Sequence, residues 1–171
     1  MNRLDAKGRP LFDQVTTSSE FAMALMEYFD WFSGVPDSVF KNVLPLLQPQ
    51  QFAARENHAV GAAFGASIGG KRPCVLMQNS GLGLSLDAIF GLFELYHQGL
   101  LLVVSNRGEL AWEEVQHQDW GRLTLPLLHA TNFTVIDFQE HGVAAIAEAA
   151  HIIKTQQRIV VLLIHRGNLD E

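Results

Sequence analysis

Three apolar runs limit what this chain can become: Pro73–Gln78 (P-C-V-L-M-Q), residues 100–105 (L-L-L-V-V-S) and residues 158–165 (R-I-V-V-L-L-I-H). A strand with one wet face alternates polar and apolar residues. A run without alternation is buried on both faces, as in a parallel sheet covered by helices on either side. The segments between the runs carry helical patterns, and no hairpin turn signal joins two strands. Parallel neighbours then need right-handed helical crossovers. The pattern predicts an α/β fold, a three-layer αβα sandwich with a parallel sheet of about six strands.

The remaining elements follow from local chemistry. Ser18, Ser19 and Glu20 open a helix whose apolar stripe is Phe21, Leu25, Met26 and Phe29. A short strand at 31–33 closes in the turn residues 34–38. A second helix is predicted with Val39, Phe40, Val43 and Leu47 on one side, stopping near Pro49. Residues 51–54 form the next strand and lead into a thin helix of small residues, Ala59, Gly61, Ala62, Ala63, Gly65, Ala66 and Ser67. After the 73–78 strand, residues 79–83 turn the chain into a long helix through Ile89, Phe93 and Tyr96. Residues 106–121 read as a long polar loop, 121–129 as a short helix, 133–137 as a strand and 141–155 as a helix. Residues 1–15 are expected to be an N-terminal arm and 16–171 one domain. The chain ends soon after its last strand, so no second domain is expected.

Composition narrows the function classes. The net charge of −6 and pI near 5.6 argue against nucleic acid, whose phosphates need a basic face. No apolar run has the length of a membrane span, and the N-terminus lacks the apolar core of a secretory signal. Cys74 is the single cysteine, which excludes an internal disulfide and fits a reducing compartment. A cytoplasmic location is expected.

Parallel sheets place their sites at the carboxyl ends of the strands. Three such ends carry unusual residues: Glu56, the 79–83 turn (N-S-G-L-G), and the loop with Arg107, Glu109, Gln116 and His117. Alone, an acid in a first helical turn only offsets the helix dipole. Glycines before a helix can free backbone amides for an anion, or simply satisfy a tight turn. The 79–83 turn is neither a Walker loop nor a dinucleotide fingerprint. Ser80 lacks the G-x-S-x-G setting of a hydrolase nucleophile. Seven histidines invite a metal, but no H-x-x-x-H or C-x-x-C spacing exists, and His58 and Cys74 sit on different elements. His97, His129, His141 and His151 are read as surface residues, and His117 as the acid–base candidate.

Five segments in order, S-G-V-P-D-S (33–38), E-N-H-A-V-G (56–61), M-Q-N-S-G-L-G (77–83), R-G-E (107–109) and Q-H with G-R-L-T (116–124), carry a resemblance. Together they resemble the thiamine diphosphate-dependent decarboxylases of 3-phosphonopyruvate and 3-sulfopyruvate, over about residues 20–165. The matching part of that family is its pyrimidine-binding domain. The resemblance gives Glu56 the role of the acid that hydrogen-bonds N1′ of the aminopyrimidine and promotes loss of the thiazolium C2 proton. Desolvation beside a thin helix is expected to raise its pKa. It implies cofactor contacts at Glu56, Pro36, Asn79, Ser80 and Gly81. Substrate contacts fall on Ser80, Leu82, Gly83, Arg107, Gln116 and His117, with His117 also catalytic. No residue of the chain is expected to bind metal.

The family holds diphosphate and Mg2+ through a G-D-G…N motif on a separate domain, and no G-D-G occurs here. The resemblance therefore implies an α subunit that needs a β subunit carrying that domain, in an α2β2 or larger heteromer. The small-residue helix and the 79–95 helix are the expected contact faces. The substrate expected is a small anionic 2-keto acid, 3-phosphonopyruvate, with 3-sulfopyruvate as the alternative. Two departures bear on this: Leu84 stands where the group commonly has Asn, and Asn57-His58 follow the glutamate where small or acidic residues are usual. A non-catalytic regulatory subunit and an acyloin or acetolactate-type ligase are the rival readings.

Overall fold

The computed structural model describes the backbone of Arg3–Leu4 and Pro10–Leu11 and residues 15–170 with their side chains. Six parallel strands form the sheet: β3 (Trp31–Gly34), β4 (Gln50–Phe52), β5 (Pro73–Gln78), β6 (Leu100–Asn106), β7 (Thr134–Asp137) and β8 (Ile159–His165). Their order is β4-β3-β5-β6-β8-β7. The expected sandwich is present. Of the predicted arm, Arg3–Leu4 (β1) and Pro10–Leu11 (β2) pair antiparallel, and the rest of residues 1–14 lies outside the described residues.

The apolar runs fill the centre because each residue faces one of two cores. Along β6, Leu101 and Val103 join a layer with Phe21, Leu25, Phe40 and Ile146. Leu100, Leu102 and Val104 join the opposite layer with Ala59, Ala63, Leu82 and Phe93. Helices α1 (Ser18–Tyr28) and α6 (Ala144–Gln156) cover the first face. Helices α2 (Glu56–Ile68) and α3 (Asn79–Ala88) cover the second, with α4 (Val115–Thr131) contributing Leu128. Cys74 is free and fully buried within β5. Among the described residues, no helix is long and apolar enough to cross a membrane.

Four expectations are corrected. The predicted helix at 39–47 is a series of turns ending in a 3-10 turn, Leu44–Leu46. Pro45 accounts for this: it lacks an N–H and disfavours helix in the residue before it. Val39, Phe40, Val43 and Leu47 are nonetheless buried as expected. Second, α3 begins at Asn79, so Gly81 and Gly83 lie inside its first two turns and not in a preceding loop. It passes at Ile89–Glu94 into a π-helical segment in place of a uniform long helix. Third, residues 115–121 are helical, because α4 starts at Val115 and continues through Gly121 and Pro126. Finally, Gly142, at φ +58°, splits the predicted 141–155 helix into α5 (Phe138–His141) and α6.

Candidate active site

Polar residues end four successive apolar strands: Gln78 on β5, Asn106 on β6, Asp137 on β7 and His165 on β8. Because the sheet is parallel, these ends share an edge with the 35–38 turn after β3 and with Glu56 after β4.

Glu56 is the first residue of α2 and is half-buried. Its side chain lies across α3 at Gly81, where a Cβ would stand 2.3 Å from Glu56 Cγ and 2.7 Å from Oε1. A glycine at 81 is therefore a spatial requirement. No hydrogen bond or ion pair from the described residues engages the Glu56 carboxylate. It can accept or give a proton to an incoming group. The next residue, Asn57, has its Oδ1 buried without a partner among the described residues.

The start of α3 anchors the second wall. Asn79 is buried, and its Nδ2 donates to Asn106 Oδ1 at 3.2 Å, Arg107 O at 2.9 Å and Thr124 Oγ1 at 2.9 Å. Its Oδ1 accepts from the Ser80 amide at 3.1 Å. Asn79 thus joins β5, β6 and α4. Gln78 Nε2 donates to Ser80 Oγ at 3.0 Å and to His117 Nδ1 at 3.0 Å. An accepting Nδ1 puts the proton of a neutral His117 on Nε2. His117 is 8% exposed and its Nε2 faces Glu114 Oε2 at 3.5 Å.

Arg107 is held from several sides. Its Nε donates to Glu113 Oε1 at 2.6 Å, Nη1 to Ser38 Oγ at 3.0 Å, and Nη2 to Glu114 Oε2 at 3.2 Å. Asp37 Oδ2 lies 3.9 Å from Nη1 and also accepts from Ser105 Oγ at 2.9 Å. Glu113 receives Arg166 Nη1 at 3.7 Å and the Gly108 amide at 2.7 Å. Gly108 has φ +88°, and a Cβ there would meet His117 O at 1.8 Å, so the backbone itself seats α4 against this turn.

His165 sits between two carboxylates, Nδ1 at 2.7 Å from Glu109 Oε2 and Nε2 at 3.1 Å from Asp137 Oδ2. Burial opposes its charge, but the hydrogen bonds to Asp137 and Glu109 and their charges prevail, raising its pKa to about 10. Asp137 is held below the usual carboxylate range, since His165 outweighs the upward effect of burial.

Glu56, Asn79, Ser80, Gly81 and His117 therefore gather around the first turn of α3. Gln116 is exposed in the first turn of α4, and Pro36 is exposed in the turn that carries Asp37 and Ser38. Arg107 reaches protein carboxylates, so its guanidinium is already matched by charge. Leu82 turns its side chain wholly into the core, leaving only its backbone to a ligand. Gly83 makes room for the Trp120 ring, which a Cβ there would meet at 2.1 Å. Leu84 is 40% exposed. His58, His97, His129, His141 and His151 are on the surface. The sequence reading missed Gln78, Asp37, Glu113, Glu114 and the His165 pair. The signal for Gln78 and His165 was there: each is a polar residue closing an apolar strand. Among the described residues, no group of three or more His, Cys, Asp or Glu could hold a metal ion. A cleft of about 700 Å³ lined by Tyr28, Lys71, Gly99 and His151 contains none of these site residues.

No family model matches the chain. Three curated proteins do, each a sulfopyruvate decarboxylase subunit alpha. The one from Methanocaldococcus jannaschii is 38% identical over 86 residues, 47% of this chain and 51% of that protein. The one from Methanococcus maripaludis is 35% identical over 104 residues, 58% of this chain and 62% of that protein. The third, from Methanothermobacter thermautotrophicus, is 46% identical over 54 residues, a third of each chain. The chain thus spans about half the length of the curated relatives it matches. Two solved structures share the fold. One is a 2-oxoglutarate:ferredoxin oxidoreductase from Magnetococcus marinus, with TM-score 0.69 and 14% identity over 91% of this chain and 30% of that one. The other is a split-gene transketolase as an inactive β4 tetramer, with TM-score 0.57 and 16% identity over 92% of this chain and 53% of that one. All three relatives are named for sulfopyruvate, whereas the local motifs of this chain put phosphonopyruvate first. By sequence over the matched stretches, the chain is a relative of the alpha subunits of sulfopyruvate decarboxylase.

Proposed function

We propose that this chain is the α subunit of a thiamine diphosphate-dependent sulfopyruvate decarboxylase, completed by a β subunit that binds diphosphate and Mg2+. One observation carries the reading: Glu56, with no partner among the described residues, lies against a glycine at the strand-end edge of the sheet. The Glu56 side chain fills the place a Cβ would take at Gly81, which supports a carboxylate set against the start of α3 for a ring to meet. Thiamine diphosphate, when bound, supplies a nucleophilic carbon and an electron sink for the bond to CO2.

This chain's residues do the rest. Glu56 holds and moves a proton at the pyrimidine nitrogen. Asn79 fixes the start of α3, and Ser80 and the backbone of 81–83 shape the wall beside the ring. Pro36 and its turn close the other side. His117, with its Nε2–H, donates to the substrate's developing charge or anionic head. Mg2+ and the diphosphate are assigned to the partner subunit. The free, buried Cys74 supports a reducing, cytoplasmic setting.

Co-expression with a candidate β subunit bearing G-D-G…N, followed by CO2 release assays, tests the proposal. Sulfopyruvate should be decarboxylated faster than phosphonopyruvate. Glu56→Gln should lower turnover at least 1000-fold, on the order expected for a lost proton-transfer group, without disturbing assembly. A Glu56→Gln enzyme of near wild-type rate refutes the assignment. An assembled pair that binds thiamine diphosphate but turns over neither acid would favour a regulatory subunit.

A further inference from the structure

Arg107 and His117 each present one nitrogen to the same oxygen. Glu114 Oε2 stands 3.2 Å from Arg107 Nη2 and 3.5 Å from His117 Nε2. The two donor side chains are 5% and 11% exposed, whereas the Glu114 side chain is 64% exposed. Two buried nitrogens thus flank a carboxylate that solvent reaches freely, Arg107 with a hydrogen bond and His117 at 3.5 Å.

Both donors are set from behind. Glu113 and Ser38 fix the guanidinium, and Gln78 occupies Nδ1 of the imidazole, which leaves the proton of a neutral ring on Nε2, the nitrogen 3.5 Å from Glu114 Oε2. Glu114 is secured much less. It precedes α4 as the N-cap residue, yet its side chain makes no capping hydrogen bond. Its own backbone amide and, beyond that, Arg107, His117 and Arg166 hold its carboxyl below the ordinary range, so it stays anionic. An ion pair whose acid is this exposed is weakly held and readily exchanged with solvent or salt.

We propose that Arg107 Nη2 and His117 Nε2 form an anion subsite, that Glu114 is its resident occupant, and that a sulfonate or carboxylate headgroup displaces it. Charge allows the exchange. Around this point Arg107 and Arg166 stand against Asp37, Glu113 and Glu114. Expulsion of Glu114 leaves two arginines against two carboxylates, so charge permits the exchange; what is lost is the oxygen that faces Arg107 Nη2 and His117 Nε2. The subsite therefore selects ligands that bring acceptor oxygens of their own, as an anionic headgroup does. Glu114 acts as a built-in competitor that keeps the donors paired until such a ligand arrives. The proposal rests on the decarboxylase reading only for the identity of the ligand.

The test uses the full chain without cofactor or partner, labelled with 15N-histidine, titrated with sodium sulfate at constant ionic strength. The His117 ring signals should show the Nε2–H tautomer and shift on sulfate addition. Glu114→Gln should tighten the sulfate dissociation constant about five- to tenfold, and Glu114→Ala at least as much. Arg107→Lys should weaken it in the Glu114→Ala background. Sulfate affinity unchanged or weaker in both Glu114 variants would overturn the proposal, as would His117 signals that ignore sulfate. Because the readout is binding to the chain alone, its failure leaves the decarboxylase assignment standing. A failed CO2 assay likewise leaves the sulfate result intact.

Discussion

Gly81 separates two effects that usually travel together. Alanine in a helix interior is favoured over glycine by about 1 kcal/mol, so Gly81→Ala should help α3. Yet its Cβ would stand 2.3 Å from Glu56 Cγ and push the carboxylate aside. The expected result is a melting temperature near or above wild type with decarboxylation reduced at least 100-fold, a loss of about 3 kcal/mol in barrier terms. Calorimetry and a CO2 assay on the same preparation check both halves. His165 gives a prediction in pH. Its pKa rises from 6.5 to about 10 on folding, so its contribution is full below pH 6.5 and fades as pH rises through 10. Urea melts between pH 6.5 and 10 should show wild type losing stability that a His165→Gln variant does not lose. Equal slopes would exclude the clamp. The position of Glu56 at a strand-to-helix junction was legible in the sequence, but a lone acid there reads only as a dipole partner, and its proposed role came from the ordered motifs around it. The engagement of Arg107 was not legible, since Asp37 and Ser38 come from a distant segment and the loop that follows Arg107 turns Glu113 and Glu114 back onto it only in the fold.

Elements differ in how far sequence discloses them, and the reason is packing. The central strands β5, β6 and β8 are written in unbroken apolar runs. The start of α4 is not, because Gln116, Gln118 and Asp119 are exposed and polar while Gly121 and Pro126 signal a break. Tertiary contact overrides those signals. Gly108 and Gly121 let the backbone of the 107–109 turn approach α4, and Gly83 lets α3 approach it. Gly83→Ala should therefore move α3 and α4 apart around Trp120. The expected cost is about 1–3 kcal/mol, as for other overpacked contacts, despite the better helix former, read as a lower urea midpoint with an unchanged m-value. An increase in stability would show that Trp120 can turn aside freely. Pro45 taught the opposite lesson: the buried positions around it follow a helical stripe, but the ring forbids the helix.

At the scale of the whole molecule, the site is arranged around one helix terminus and approached from both core layers. The turn after β3 comes from the side covered by α1, and α2 and α4 from the other, so Asp37 and Arg107 join what the sheet divides. Exposed Ile68, Phe90, Leu95 and Tyr96 lie on the α2–α3 side, the face expected from sequence to meet another subunit. Glu56, however, hangs from β4, a three-residue strand at the sheet's rim whose second and third residues are exposed. Amide exchange should follow that asymmetry: deuterium should enter residues 50–56 well before 74–78 and 101–105. Slow exchange at both places in the isolated chain would contradict it. The acid proposed to handle the proton is thus mounted on a short, exposed rim strand, where a docking neighbour that damps local opening would set the working fraction of the proposed enzyme without touching its chemistry.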